Sequence, residues 1–205
     1  MNPAQYNPLA PEDFIGSARD YALLLRQGIL RARASGDTPL RYLINGPPGI
    51  GKSQLVKFAL RELGVSPWSL ISRSGTAVGI EEMQVIEESV RLRDLFGYRA
   101  VVIEEADQIS QKAQIRWLDI SDKLPAGNAV FFTSNQRVDH FEERFQRRFQ
   151  VFELTRPSTG EIAELLKRWV APVTAQQIAH DCKGCVGSAL LDVQTALDHL
   201  AAQAA

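Results

Sequence analysis

The chain has 205 residues, of which 45% are hydrophobic and 23% charged, and a formal net charge of −1. This balance is that of an ordinary soluble globular protein, and the length suffices for a hydrophobic core without disulfides. The near-neutral charge excludes a general basic field, so any contact with nucleic acid requires a local patch. The sequence contains no apolar run of membrane-spanning length and no secretion signal at its start, so we expect a cytoplasmic protein with no membrane partner.

The chain opens with an arm over residues 1–12 that contains three prolines and little periodicity. Ser17 is predicted to cap a helix over residues 18–34. The residues expected on one apolar face of this helix are Tyr21, Leu24, Leu25 and Ile29.

A phosphate-binding loop is predicted next. The apolar run 41–45 indicates a buried strand, residues 54–61 have helical spacing, and the stretch between them fits the pattern G-x-x-x-x-G-K-[ST]. Backbone N–H groups of such a loop surround phosphate oxygens, the lysine reaches the β- and γ-phosphates, and the hydroxyl ligates Mg²⁺. The alternative is a glycine-rich turn before an ordinary helix. The predicted nucleotide-binding residues are Gly46, Pro47, Pro48, Gly49, Ile50, Gly51, Lys52 and Ser53.

Strand and helix signals alternate through the middle of the chain. Strands are predicted over 68–71, 100–103, 129–133 and 151–154, and helices over 80–93 and 109–120. The residues expected to point inward from the first of these helices are Ile80, Met83, Ile86 and Val90. Such alternation predicts an α/β fold with a central parallel sheet between two helical layers, as in P-loop NTPases.

Strand signals stop after Pro157. Ser158 and Glu161 have the spacing of a capping box, as do Thr174 and Gln177, and each pair is predicted to open a helix. A third helix is predicted over 188–204. We therefore divide the chain into an αβα nucleotide-binding domain, residues 1–155, and a small all-helical appendage, residues 156–205.

Polar residues follow two of the predicted strands. Glu104 is placed to ligate Mg²⁺ and Glu105 to polarise the attacking water, while Asn135 can hydrogen-bond that water or the γ-phosphate. The alternatives are a solvated acidic turn and a turn asparagine. A basic run is usually a solvated helix face, and one such run contains Arg144, Arg147 and Arg148. The alternative is that one of these arginines contacts the γ-phosphate of a nucleotide across a subunit boundary.

Two weaker patterns keep open alternatives. The spacing of His180, Cys182 and Cys185 is compatible with a zinc site, although a structural site needs four ligands and the sequence offers no second pair. The alternative is that the two cysteines are reduced and lie beside a turn. A second set of basic residues could form a surface for DNA phosphates: Arg73, Arg91, Arg93 and Lys112. The alternative is an ordinary solvated surface.

In this order the motifs resemble those of the AAA+ ATPases, in particular the clamp-loader-like and Holliday-junction-motor-like branch. The segment 13–16 resembles the family's segment before its first helix, which implies that Phe14 and Ile15 bind near the adenine. Residues 101–107 resemble the family's acidic motif, 132–135 its polar strand end, and 147–149 its arginine-finger segment, with Arg148 at the finger position. The resemblance implies ATP and Mg²⁺ as cofactors and self-association into a ring or helical oligomer.

Two departures from the family pattern stand out. Glu104 replaces the usual aspartate. The final helices, residues 156–205, resemble the family's helical lid domain, and Leu190 stands where that lid normally supplies an arginine. The leading hypothesis is an ATP-hydrolysing switch or loader in DNA replication or recombination, with DNA and a replication or recombination protein as partners. The alternatives are a protein-remodelling chaperone without DNA contact and a regulatory adaptor that hydrolyses ATP weakly, such as a transposition or helicase-loading regulator.

Overall fold

A computed structural model describes residues 2–36, 38–92 and 97–203. The helices in these ranges are α1 (Ser17–Ser35), α2 (Lys52–Glu62), α3 (Ile80–Arg91), α4 (Gln111–Asp122), α5 (Glu143–Gln146), α6 (Thr159–Leu166), α7 (Pro172–Asp181) and α8 (Val186–Gln203). The strands are β1 (Leu40–Asn45), β2 (Leu70–Ser74), β3 (Arg99–Glu104), β4 (Asn128–Ser134) and β5 (Gln150–Glu153).

The five strands found in the described ranges form one sheet in the order β2-β3-β4-β1-β5, and every neighbouring pair is parallel. Leu43 of β1 lies level with Phe132 of β4 and Val151 of β5. The carboxyl ends of β1, β3 and β4 therefore reach the same edge of the sheet. In such sheets ligands bind in the crevice beyond this edge.

Hydrophobic clusters cover both faces of the sheet. Side chains of β1 alternate between them, since Tyr42 and Ile44 pack with α1 and α2 while Leu43 packs with α3, α4 and α5. The expected three-layer αβα architecture is confirmed.

Helices α6, α7 and α8 pack around a separate hydrophobic cluster that includes Ile162, Leu166 and Val193. The capping box that begins α6 is present: the Ser158 hydroxyl accepts from the Glu161 amide at 3.3 Å, and the Glu161 carboxylate accepts from the Ser158 amide at 2.8 Å. The expected C-terminal helices are confirmed, whereas the domain boundary between residues 155 and 156 stays a prediction.

Two helix starts differ from the prediction. Gly16 is the residue before α1, at φ +56°, and the Ser17 hydroxyl instead accepts from the Thr155 amide at 2.9 Å. Helix α7 begins at Pro172 rather than at Thr174, because proline is preset for the first helical turn.

Three apolar side chains that were expected in a strand or on the apolar face of a helix are exposed. Trp68 lies in a 3-10 turn before β2 and is 93% exposed, so the expected strand over 68–71 begins only at Leu70. Ile80 is exposed at the first position of α3, and Leu24 lies beside the buried stripe of α1 that contains Leu25 and Ile29.

None of the helices in the described ranges is long and apolar enough to cross a membrane.

Two tryptophans give a matched test of this core. Trp117 is fully buried against Phe132, with ring centroids 4.9 Å apart, whereas Trp68 is 93% exposed. We expect Trp117→Ala to lower the free energy of unfolding by about 3–5 kcal/mol, because it leaves a large cavity. Trp68→Ala should change it by no more than about 0.5 kcal/mol. Chemical denaturation followed by circular dichroism measures both values, and equal losses would contradict this packing.

Candidate functional site

The carboxyl ends of β1, β3 and β4 open onto one cavity of about 370 Å³. The start of α2 contributes Ser53, the end of β3 contributes Glu104 and Glu105, and the end of β4 is followed by Asn135. The structure thus brings together residues that are distant in the sequence, such as Ser53 and Asn135, which lie 82 positions apart.

The conformation of the loop between β1 and α2 depends on its glycines. Gly46, Gly49 and Gly51 have φ angles of +147°, +75° and +104°, which side-chain-bearing residues rarely adopt. Helix α2 begins directly afterwards at Lys52, so its positive end points into the cavity. A loop of this shape followed by a helix N-terminus is a site for phosphate groups.

Lys52, the first residue of α2, is a buried cation with only 8% of its surface exposed. Its ammonium group donates to the carbonyls of Gly46 and Pro47 at 2.7 and 2.8 Å and to Asn135 Oδ1 at 2.8 Å. Burial lowers the pKa of Lys52, and the charge of Asp107 opposes that shift. Lys52 therefore links the loop after β1 to the polar residue after β4.

The two acidic residues differ in backbone conformation. Glu104 ends β3, whereas Glu105 is in the left-handed region with φ +53° and ψ +48°. A Cβ atom at Gly75 would collide with the carbonyl oxygen of Glu105, so the glycine allows this close approach. A non-glycine residue in this conformation costs about 1–3 kcal/mol and is typical of functional sites.

The sequence reasoning assigned no role to Asp107. Its Oδ1 atom accepts from the Asn135 amide at 3.2 Å, and its Oδ2 atom accepts from Gln108 at 3.0 Å. Burial raises the pKa of Asp107, but hydrogen bonds from Gln108, the Asn135 backbone and Ser134 outweigh it and hold that pKa below its ordinary value. Asp107 is therefore an anion that fixes the turn bearing Asn135.

The predicted adenine-binding residues Phe14 and Ile15 line the same cavity. The arm before them also contributes to its wall, through Tyr6 and Pro8. The Tyr6 hydroxyl donates to the Asp13 carbonyl at 2.7 Å and accepts from Arg168 at 2.9 Å. Sequence reasoning missed this part of the wall because the arm has no periodicity that could signal it.

The first turn of α8 touches the phosphate-binding loop. The Gly187 amide donates to the Gly49 carbonyl at 2.9 Å, and a Cβ atom at Gly49 would collide with Cys185 Sγ. Leu190, at the position where the family pattern has an arginine, also lines the cavity. This cavity wall is apolar where the family pattern supplies a cation.

Arg148 is the one predicted site residue placed far from the cavity. It precedes β5, whose first residue Gln150 lies level with Tyr42, whereas the phosphate-binding loop follows the other end of β1. At about 3.3 Å per strand residue, Arg148 is on the order of 15–20 Å from Gly46 along the strand direction.

The weaker patterns find little support. Arg73 pairs with Glu82 at 2.7 Å and Arg91 with Glu87 at 2.6 Å, while Arg93 lies outside the described residues. Within the described ranges there is no cluster of three or more potential metal ligands. Cys182 is buried and donates to the Ala179 carbonyl at 3.3 Å.

Comparison with known proteins identifies the family. Residues 42–156, more than half of the chain, match the AAA family, described as ATPases associated with various cellular activities. The chain belongs to the AAA family. The match contains the phosphate-binding loop, the acidic residues after β3, Asn135 and Arg148.

The chain is similar to replication factor C large subunits and to RuvB subunits. It is 27% identical to the replication factor C large subunit of Pyrobaculum arsenaticum over 93% of its own length and 44% of that protein. Over 31% of its length it is 38% identical to the Holliday junction branch migration complex subunit RuvB of Nocardia farcinica, of which it covers 17%. The chain thus spans less than half the length of these relatives.

The fold is that of a solved RuvB structure. The Thermotoga maritima RuvB Holliday junction branch migration motor superposes with a TM-score of 0.79 at 20% identity, over 97% of this chain and 67% of that one. The expected resemblance to the clamp-loader and Holliday-junction-motor branch is confirmed.

Lys52 carries the first prediction about the site. We expect Lys52→Ala to weaken ATP binding by about tenfold or more, because a charge-assisted contact contributes about 1.5–3 kcal/mol. Calorimetric titration with ATP measures the change. Lys57→Ala is the matched control, since Lys57 is an exposed lysine of the same helix. Equal affinity of the two variants would contradict the assignment of this loop.

Proposed function

We propose that this AAA protein hydrolyses ATP at the interfaces of an oligomer. The observation that carries the proposal is the division of the predicted site between two edges of one sheet. The cavity at the carboxyl edge holds Lys52, Glu105 and Asn135, while Arg148 lies at the amino edge. Arg148 cannot reach the cavity of its own subunit, but it is available to the cavity of a neighbour.

The residues present fit ATP and Mg²⁺. The glycine conformations and the start of α2 suit the phosphates, and Phe14, Ile15 and Tyr6 supply apolar and aromatic surface for a base. Ser53 and Glu104 both line the cavity and offer the oxygen ligands that Mg²⁺ prefers. When bound, the ion would neutralise charge on the phosphates.

Each polar residue then has a separate task. Lys52 binds the terminal phosphates, Glu105 orients and polarises the attacking water, and Asn135 holds that water or the γ-phosphate. Asp107 keeps Asn135 in place by accepting a hydrogen bond from the Asn135 backbone N–H. Arg148 of a neighbouring subunit offsets negative charge that develops on the γ-phosphate in the transition state.

We further propose a role in DNA replication or recombination, as the names of the replication factor C and RuvB relatives suggest. The proposal includes DNA and a replication or recombination protein as partners. The measurement is ATP turnover with and without single-stranded and duplex DNA over a range of protein concentrations. Stimulation of ATP turnover by DNA supports this role. ATP turnover that is the same with and without DNA favours a protein-remodelling chaperone instead.

A second candidate is an ATP-binding regulatory adaptor that hydrolyses slowly. Leu190 favours it, because this apolar side chain lines the cavity at the position of the family's lid arginine. Glu104 adds to the case, since its side chain is one methylene longer than the usual aspartate. Tight ATP binding with little turnover in the presence of DNA would select the adaptor.

The acidic pair provides a test of the mechanism. We expect Glu105→Gln to retain ATP binding and to lower turnover about 100-fold or more, because the amide cannot act as a base. Glu104→Gln should instead weaken the Mg²⁺-dependent part of ATP binding. Paired binding and turnover measurements with and without Mg²⁺ separate the two effects. Normal turnover of Glu105→Gln together with loss in Glu104→Gln would reverse the roles.

Arg148 provides a test of oligomeric action. We expect Arg148→Ala to bind ATP normally and to lower turnover about a thousandfold. Arg147→Ala is the matched control, because Arg147 is an exposed neighbour that pairs only with Glu143 among the described residues. Turnover per wild-type subunit should rise with protein concentration.

Mixing two inactive variants tests whether Arg148 acts on a neighbour. Arg148→Ala retains the phosphate-binding loop and Lys52→Ala retains the arginine, so a mixed interface contains one intact set. Partial recovery of turnover is expected. Turnover independent of concentration and absence of recovery would place Arg148 outside any shared site.

A further inference from the structure

Arg148 is held in a defined orientation by its own subunit. Its Nε and Nη2 atoms donate to the two carboxylate oxygens of Asp122 at 2.9 and 2.8 Å, and its Nη1 atom donates to the Arg144 carbonyl at 2.7 Å. A guanidinium group carries five N–H groups, so these contacts with described residues use three and leave two. The Arg148 side chain is 28% exposed, which makes it a partly covered group rather than a free surface arginine.

We propose that Asp122 is a positioning residue that presents Arg148 to the nucleotide of a neighbouring subunit. The inference rests on the proposed oligomeric function and adds a residue to it. Two-point pairing fixes a guanidinium plane far better than a single contact, and a carboxylate matches its geometry. Asp122 itself need not touch the nucleotide.

The location of Asp122 supports this role over a contribution to helix stability. Asp122 is the last residue of α4, where the negative end of the helix dipole disfavours a carboxylate. The helix therefore gains nothing from an acid at this position. Hydrogen bonds from Arg148 hold the pKa of Asp122 below its ordinary value.

The end of α4 is itself anchored to the sheet. Arg41 of β1 donates from Nη1 to the Ser121 carbonyl at 2.6 Å. Arg41 lies one position before Tyr42, the residue level with the start of β5. The turn that bears Arg148, the end of α4 and the start of β1 therefore meet at the amino edge of the sheet. The backbone next to Asp122 is thus held against β1.

The mixed assembly isolates this effect. One subunit carries Arg148→Ala and supplies the cavity, and the other carries Lys52→Ala and supplies the arginine. Adding Asp122→Ala to the second subunit should lower the recovered turnover about 10- to 100-fold, as expected when a catalytic group loses its orientation. Adding Asp122→Ala to the first subunit should change nothing, because its arginine is already absent.

Two controls accompany the mixture. Asp119→Ala in the arginine-supplying subunit should leave turnover unchanged, since this exposed aspartate of α4 pairs with Lys123 instead. Asp122→Asn, which keeps one acceptor oxygen, should give an intermediate value. ATP binding by the cavity-supplying subunit with Asp122→Ala reports whether that variant is folded.

The outcomes separate the two proposals. Recovery that is unaffected by Asp122→Ala overturns the positioning role while the oligomeric function stands. Equal losses with Asp122→Ala in either subunit assign it a merely structural role, and higher turnover shows that Asp122 restrains Arg148 instead. No recovery in the parent mixture overturns the oligomeric function and this inference with it.

Discussion

The parallel register of β1, β3 and β4 is the constraint on which the site depends. It brings the phosphate-binding loop, the acidic pair and Asn135 to one edge of the sheet, although they are distant in the sequence. Lys52 then connects two of these strand ends through its hydrogen bonds to Gly46, Pro47 and Asn135. A shift of one strand by a single residue would separate these groups and turn its buried side chains to the opposite face.

The same parallel arrangement separates Arg148 from the cavity. Each strand enters the sheet at the amino edge and leaves it at the carboxyl edge, so a residue just before β5 lies at the opposite end from one just after β1. Neither end alone therefore holds all the residues of the proposed site. That site is complete only where a second copy of the chain supplies Arg148.

The sequence predicted the layers of the fold well because buried parallel strands leave continuous apolar runs, as at residues 100–103, and helices leave a 3.6-residue period. The sequence predicted less where the same local pattern occurs in a strand and in a turn, or where a segment has no periodic pattern. Trp68 has strand propensity but lies in an exposed turn, and Tyr6 belongs to an aperiodic arm that reaches the cavity through tertiary contacts. The role of Asp107 could not be predicted because it is one of several neighbouring acidic residues. Only the folded turn shows which carboxylate accepts from the Asn135 backbone N–H.

Helix α4 joins the two halves of the proposed site within one subunit. It follows the turn that contains Glu105 and Asp107, and it ends at Asp122, which holds Arg148. Twelve residues at 1.5 Å each make it about 18 Å long, comparable to the separation of the two sheet edges. A rigid helix of this length fixes where the arginine lies relative to the acidic pair of its own subunit. The position of Arg148 that is proposed to serve a neighbouring subunit thus depends on the helix that follows the subunit's own acidic turn.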